Sequence, residues 1–145
     1  MPKYVGEVRL YTDGGSRGNP GAGAIGILIT DADGNELERH AECIGHCTNN
    51  QAEYRALEKG LDLCAKHTRG NVTCFLDSEL VVRQMNGAYR LKNNVLRQLF
   101  NKVKDRERPF QAVVFNHVKR TNPNIRQVDR LLNEAMEGHG KATAP

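Results

Sequence analysis

No apolar run in this sequence approaches the roughly 20 residues needed to cross a bilayer. The N-terminal Met1-Pro2-Lys3-Tyr4 lacks the apolar core of a secretory signal, so the expected location is the cytoplasm. The cysteines form no Cys-x-x-Cys pair, and no paired histidines complete a zinc set around Cys43, Cys47, Cys64 and Cys74. Reduced, mostly buried thiols are therefore expected rather than a disulfide framework. No block of like charge marks a disordered nucleic-acid-binding arm, and no internal repeat marks a solenoid. What is present is ordinary for one globular domain: 145 residues, 39% hydrophobic and 26% charged. The net charge of +4 is compatible with a polyanionic partner without requiring one.

The first half of the chain reads as a meander. Val5 to Thr12 alternates, Ala24 to Thr30 is apolar and β-branched, and Glu36 to Ile44 is a third extended segment. Asp33-Gly34 predicts a hairpin between the second and third, whereas Gly14 to Gly23 reads as a glycine-rich loop. From Asn50 the period becomes helical, with Glu53, Ala56, Leu57, Gly60, Leu61 and Cys64 on one stripe. Val72 to Leu76 is a continuous apolar run, as expected of a strand covered on both faces. Short helices are predicted over Ser78–Met85 and Val95–Val103, and a strand over Ala112–Val118. A last helix after Pro123 carries Val128, Leu131, Leu132, Ala135 and Met136. Hairpins make the first three strands antiparallel, and helical crossovers make the first, fourth and fifth parallel. The expected class is α/β, a mixed five-stranded sheet with helices on its faces. Residues 1–137 form the expected single domain, and 138–145 a flexible C-terminal tail.

Gly21-Ala22-Gly23-Ala24-Ile25-Gly26 matches Gly-x-Gly-x-x-Gly, but Ile27-Leu28-Ile29-Thr30 continues as strand rather than helix, so a dinucleotide site is excluded. Four acids carry more. Asp13 ends the first strand, Asp77 ends the fourth, Asp129 lies in the expected first turn of the last helix, and Glu53 interrupts an apolar stripe. Taken singly, each has a plain reading. Asp13 suits a turn with Gly14, Asp77 a helix cap, and Asp129 the helix dipole. Asn50-Gln51-Ala52-Glu53 reads as a capping box in which Glu53 reaches back to Asn50. Yet the stripe aims Glu53 at the sheet, where an ionised carboxylate needs a partner or a raised pKa. In a sheet whose first and fourth strands are parallel neighbours, Asp13 and Asp77 stand side by side in its path. Like charges so placed imply a cation between them, and oxygen-only ligands suit magnesium or manganese.

Four segments together resemble the type 1 ribonuclease H family: Tyr11-Thr12-Asp13-Gly14-Gly15-Ser16-Arg17-Gly18-Asn19-Pro20-Gly21, Thr48-Asn49-Asn50-Gln51-Ala52-Glu53, Leu76-Asp77-Ser78-Glu79 and Val128-Asp129-Arg130-Leu131. They come in the family's order and span nearly the whole chain. The resemblance implies a ribonuclease H-like fold with strand order 3-2-1-4-5 and endonucleolytic cleavage of the RNA strand of RNA–DNA hybrids, leaving 3′-hydroxyl and 5′-phosphate ends. It further implies two Mg2+ or Mn2+ ions, with Asp13 bridging them, Glu53 and Asp77 completing one site and Asp129 serving the other. Gly14, Asn19, Asn49 and Asn50 would touch the minor groove near ribose hydroxyls, Thr48 would hold a DNA-strand phosphate, and Ser78 and Asn93 join the substrate-binding candidates. Amides suit that task because they donate to and accept from 2′-hydroxyls. The expected partner is the hybrid, with no membrane and no obligate protein partner, the chain acting as a monomer.

Three departures from the family's pattern stand out. The loop before the last acid, Lys119-Arg120-Thr121-Asn122-Pro123-Asn124, lacks the family's histidine; Arg120 is the candidate to assist there, as a fixed positive charge, with His117 just upstream as a lesser one. The chain has no tryptophan and bridges directly through Gly87 to Lys92, so the basic protrusion of many members is missing and grip falls to Arg83, Arg90 and Lys92. Glu79 stands where a glutamine is familiar. Two other readings of the same fold remain open here, a catalytically idle nucleic-acid-binding module and a relative that cuts DNA.

Overall fold

The computed structural model describes residues 4–87 and 91–143, with side chains through Gly138; Arg90, expected to help grip substrate, lies outside them. The elements run β1 (Val5–Arg17), β2 (Gly21–Asp31), β3 (Glu36–Cys47), α1 (Asn49–Cys64), β4 (Thr68–Leu76), α2 (Glu79–Met85), α3 (Asn94–Arg106), β5 (Ala112–His117) and α4 (Pro123–Thr143). The strands form one sheet in the order β3-β2-β1-β4-β5. β2 is antiparallel to β1 and β3, while β4 runs parallel to both β1 and β5, as expected.

Local chemistry explains most boundaries. The β2–β3 turn forms at the expected Asp33-Gly34, where Gly34 takes φ 89° and the Asp31 carboxylate accepts from the amides of Asp33 and Asn35. Ser78 caps α2 and Asn86 closes it, with Gly87 at positive φ beyond. The glycine-rich segment, in contrast, is not a loop. Gly14 pairs with Ile25 and Arg17 with Ala22, so the ladder continues through the glycines to a tight turn at residues 18–20. Glycine lowers the intrinsic strand preference, but two long neighbouring strands supply ladder partners that overcome it.

Three further expectations are corrected. β4 starts at Thr68 rather than after Gly70-Asn71, and it alternates: Val72, Cys74 and Leu76 are buried, whereas Thr73 and Phe75 are only half covered. The cap of α1 is Thr48, whose hydroxyl accepts from the Gln51 amide while the Gln51 side chain accepts from the Thr48 amide. Asn50 is thus inside the helix and Glu53 plays no part in capping. Asn122 takes the capping role for α4, its Oδ1 accepting from the amides of Asn124 and Ile125, so the helix starts at Pro123 and Asp129 falls beyond the first turn. At its other end α4 continues through Gly138 to Thr143, within the segment expected as a tail.

Helices cover both faces unequally. α1, with α3 packed behind it, lies over a large apolar cluster that includes Leu10, Ile27, Tyr54, Leu57, Leu61 and Leu76. α4 covers the opposite face of β1–β3 through a small cluster of Tyr11, Leu28, Ile125 and Val128, with Tyr11 stacked on Phe75 at 4.9 Å. All four cysteines are free thiols, and Cys47, Cys64 and Cys74 are buried. Among the described residues no helix is long and apolar enough to cross a membrane.

Candidate active site

Parallel pairing brings the first two acids together. Tyr11 of β1 is in register with Phe75 of β4, so Asp13 and Asp77, each two residues further on, emerge at the same end of the sheet. Glu53 enters from the first turns of α1. One carboxylate oxygen from each of Asp13, Glu53 and Asp77 lies within 4.8 Å of the others. This convergence is tightly packed: Asp13 is 5% exposed and Glu53 6%. The Gly14 amide donates to Glu53 Oε1 at 2.6 Å and to Asp13 Oδ1 at 3.0 Å, while Glu53 Oε2 is buried with no hydrogen-bond partner.

Two glycines allow this approach. A Cβ on Gly14 would stand 2.3 Å from the Ala52 carbonyl oxygen, so only a glycine lets α1 come down beside β1. On the other face, a Cβ on Gly26, the register partner of Asp13, would stand 2.3 Å from the Val128 carbonyl oxygen and push α4 away. Gly26 thereby brings Asp129 to the site. Its role was not apparent from its place in a failed dinucleotide motif; the signal was a lone glycine inside an apolar strand.

Burial and repulsion set the electrostatics. Burial pushes Asp13 up to about 7; the hydrogen bond with Glu53 opposes this, and the charges of Asp77 and Asp129 add to it. Glu53 is raised well above the ordinary carboxylate range, first by burial, then by Asp13 and Asp77, against the Gly14 amide. Burial and mutual repulsion thus favour the protonated forms of Asp13 and Glu53 unless a cation offsets them. An all-oxygen donor set with an unsatisfied buried oxygen is one that can hold a hard divalent ion.

The acids form the floor of a cleft of about 520 Å3 whose walls include Gly14, Asn49, Asn50, Ser78, Arg120 and Asp129. Asp129 is half-buried and lies outside the tight trio, acting on Asp13 through its charge. Asn19 and Asn49 are linked, Asn19 Oδ1 accepting from the Asn49 amide at 3.0 Å, and Ser16 donates to Asn49 Oδ1. Thr48 stands one residue before Asn49 as the cap of α1. Arg120 Nε donates to Asp77 Oδ2 at 3.2 Å. His117 is exposed at the end of β5 and, among the described residues, no histidine lines the cleft. Asn93 caps α3, away from the cleft walls. Glu79 pairs with Arg83 at 2.6 Å, and Lys92 is exposed. Cleft residues outside the sequence-based candidates include Gly15, Ser16, Arg17 and Asn133. Strand alternation from Asp13 points to Arg17, and helical spacing from Asp129 points to Asn133, whose side chain donates to the Asp129 carbonyl.

A family model described as Reverse transcriptase-like matches residues 11–134. A bifunctional protein of Mycobacterium tuberculosis is 35% identical over 139 residues, which cover 95% of this chain and 38% of that protein. The ribonuclease HI of Halobacterium salinarum is 35% identical over 137 residues, 94% of this chain and 68% of that one; its crystal structure superposes with a TM-score of 0.86 over 92% of this chain and 99% of that chain. A second similar structure, LC11-RNase H1 in complex with RNA/DNA hybrid, is 38% identical with a TM-score of 0.83, covering 91% of this chain and 98% of that one. A mixed sheet whose β1 and β4 ends present clustered acids defines a ribonuclease H-like fold. The chain belongs to the type 1 ribonuclease H family. It spans 38% of the length of the mycobacterial relatives it matches.

Proposed function

We propose that this protein is a divalent-metal-dependent endoribonuclease that cleaves the RNA strand of RNA–DNA hybrids, leaving 3′-hydroxyl and 5′-phosphate ends. The observation that carries this reading is the convergence of Asp13, Glu53 and Asp77 oxygens within 4.8 Å at the floor of an open cleft. Asp13, Glu53, Asp77 and Asp129 would hold two ions. Magnesium or manganese bound there supplies Lewis acidity, an activated water and stabilisation of the leaving oxygen.

The chain's own groups supply position. The Gly14 amide fixes the Asp13 and Glu53 carboxylates in one orientation, so they meet a cation without rearranging. The linked Asn19, Ser16 and Asn49 hold an amide-rich rim beside the acids, and with Gly14 and Asn50 this rim meets ribose 2′-hydroxyls. Thr48, the cap one residue before Asn49, and Ser78, on the cleft wall, meet the backbone. The hybrid seen with the LC11 enzyme supports the choice of substrate. Residues 1–137 form the catalytic domain, which acts as a cytoplasmic monomer.

The test is side-by-side incubation of labelled hybrid, duplex RNA and duplex DNA with Mg2+ and with Mn2+. RNA fragments from the hybrid alone are expected. Cleavage of duplex DNA, or tight hybrid binding with no turnover in either metal, would replace this reading with one of the alternatives on the same fold.

A further inference from the structure

The four acids of the cleft do not face solvent alone. The segment between β5 and α4 is pinned at its base, where the Val118 amide donates to the Leu76 carbonyl at 2.8 Å, one residue before Asp77. A second bond, from the Asn122 amide to the Lys119 carbonyl at 2.9 Å, closes the segment into a turn. This places Arg120 over Asp77, with Nε on Oδ2 at 3.2 Å. The side chains differ sharply in exposure: 80% for Arg120 against 12% for Asp77. Among the described residues Asp77 is the hydrogen-bond partner of Arg120. Arg17, the other cation on the cleft wall, sits 3.9 Å from Glu137 instead.

We infer that Arg120 is a tethered counter-cation that competes with the divalent ion for Asp77 and so sets how much free ion the site needs. The inference rests on the proposed metal site and concerns a positioning residue. A guanidinium donates into the same carboxylate lone pairs that a hard cation uses, and its fixed charge repels an incoming ion. Because the side chain is largely in water and anchored by one contact, it swings away at small cost. Loading the ion therefore displaces a side chain already in place, and the acids are never left wholly uncompensated.

Titration calorimetry with Mn2+ alone, without substrate, tests this on the wild type, Arg120→Ala, Arg120→Gln and Arg120→Lys. In the Ala and Gln variants the Mn2+ dissociation constant should fall about two- to fivefold, the range set by an exposed ion pair. Lys, which keeps the charge but loses the planar fork, should fall between them and the wild type. The differences should shrink between about 50 mM and about 500 mM salt, where exposed charges are screened. Equal or weaker Mn2+ binding by Arg120→Ala, with the wild type binding normally, overturns the competition. No Mn2+ binding by the wild type overturns the metal site itself, a separate result. The side chain is exposed enough that all three variants should melt with the wild type.

Discussion

On the α1 face of the sheet, Glu53 is nearly inaccessible and sits above a large apolar cluster running from Val8 to Phe115. On the α4 face, Asp129 is half-buried over a cluster of only Tyr11, Leu28, Ile125 and Val128. Each helix reaches the site through a position where a Cβ would collide with its backbone, Gly14 for α1 and Gly26 for α4. The closeness is shared, and the rigidity behind it is not. One half of the site is thus pre-shaped by packing that cannot relax without opening a core. The other half rests on few contacts and can adjust to what it binds.

The largest effect tests the centre common to both faces. Asp13→Asn should lower hybrid cleavage more than about 100-fold, since even the outer partners of metal ligands cost 10–100-fold when changed. Activity retained in this variant would remove the proposed site altogether. The next effect separates the faces by stability. Leu57→Ala on the α1 face should cost about 3–5 kcal/mol and Ile125→Ala on the α4 face nearer 2, in chemical denaturation. Equal costs would show that the small cluster is as firmly packed as the large one.

A single methyl group under each helix also separates the faces. Gly26→Ala should cost about 1–2 kcal/mol while lowering cleavage disproportionately, because α4 moves off and takes Asp129 with it. Gly14→Ala should cost more, about 3 kcal/mol, because α1 has nowhere to shift. Paired denaturation and cleavage assays would sink the comparison if Gly26→Ala lost stability without losing activity.

The last comparison is in pH. Asp13 has a folded pKa of about 7 against an ordinary 3.8, so the fold favours its protonated form. That contribution to stability is complete below about pH 4 and is lost as pH rises through 7. Melting of the metal-free protein should therefore fall between pH 5 and pH 8, and Asp13→Asn should flatten the decline. Saturating Mn2+ should raise the melting temperature at pH 8, because binding to the folded state alone stabilises it. A pH profile unchanged by Asp13→Asn would place the destabilising charge elsewhere.

Much of this was legible in the chain. Alternation and apolar runs located five strands, and the order of hairpins and crossovers implied which neighbours run parallel. The stripe Glu53, Ala56, Leu57, Gly60, Leu61 and Cys64 told which side of α1 is buried. Three local preferences give way in the fold. Glycine suggests a loop over Gly14 to Gly23, where a hairpin ladder with β2 keeps the chain extended; Asn50 suits a cap, but Thr48 takes that place two residues earlier. The apolar run Val72 to Leu76 suggests cover on both faces, but α4, distant in sequence, lies over β1 to β3. His117 and Asn93, carried as candidates by type and proximity, lie away from the cleft walls.

By itself, then, the sequence determined the elements, the mixed sheet and the meeting of Asp13, Glu53 and Asp77. Strand alternation and helical period are short-range regularities that residue pattern records directly, and the order of hairpins and crossovers implies which strands are neighbours. Only the tertiary structure decided how Asp129 arrives, why Gly26 must lack a side chain, and that Arg120 rests on Asp77. These depend on the depth at which one element packs on another, which is set by contacts between residues far apart in the chain.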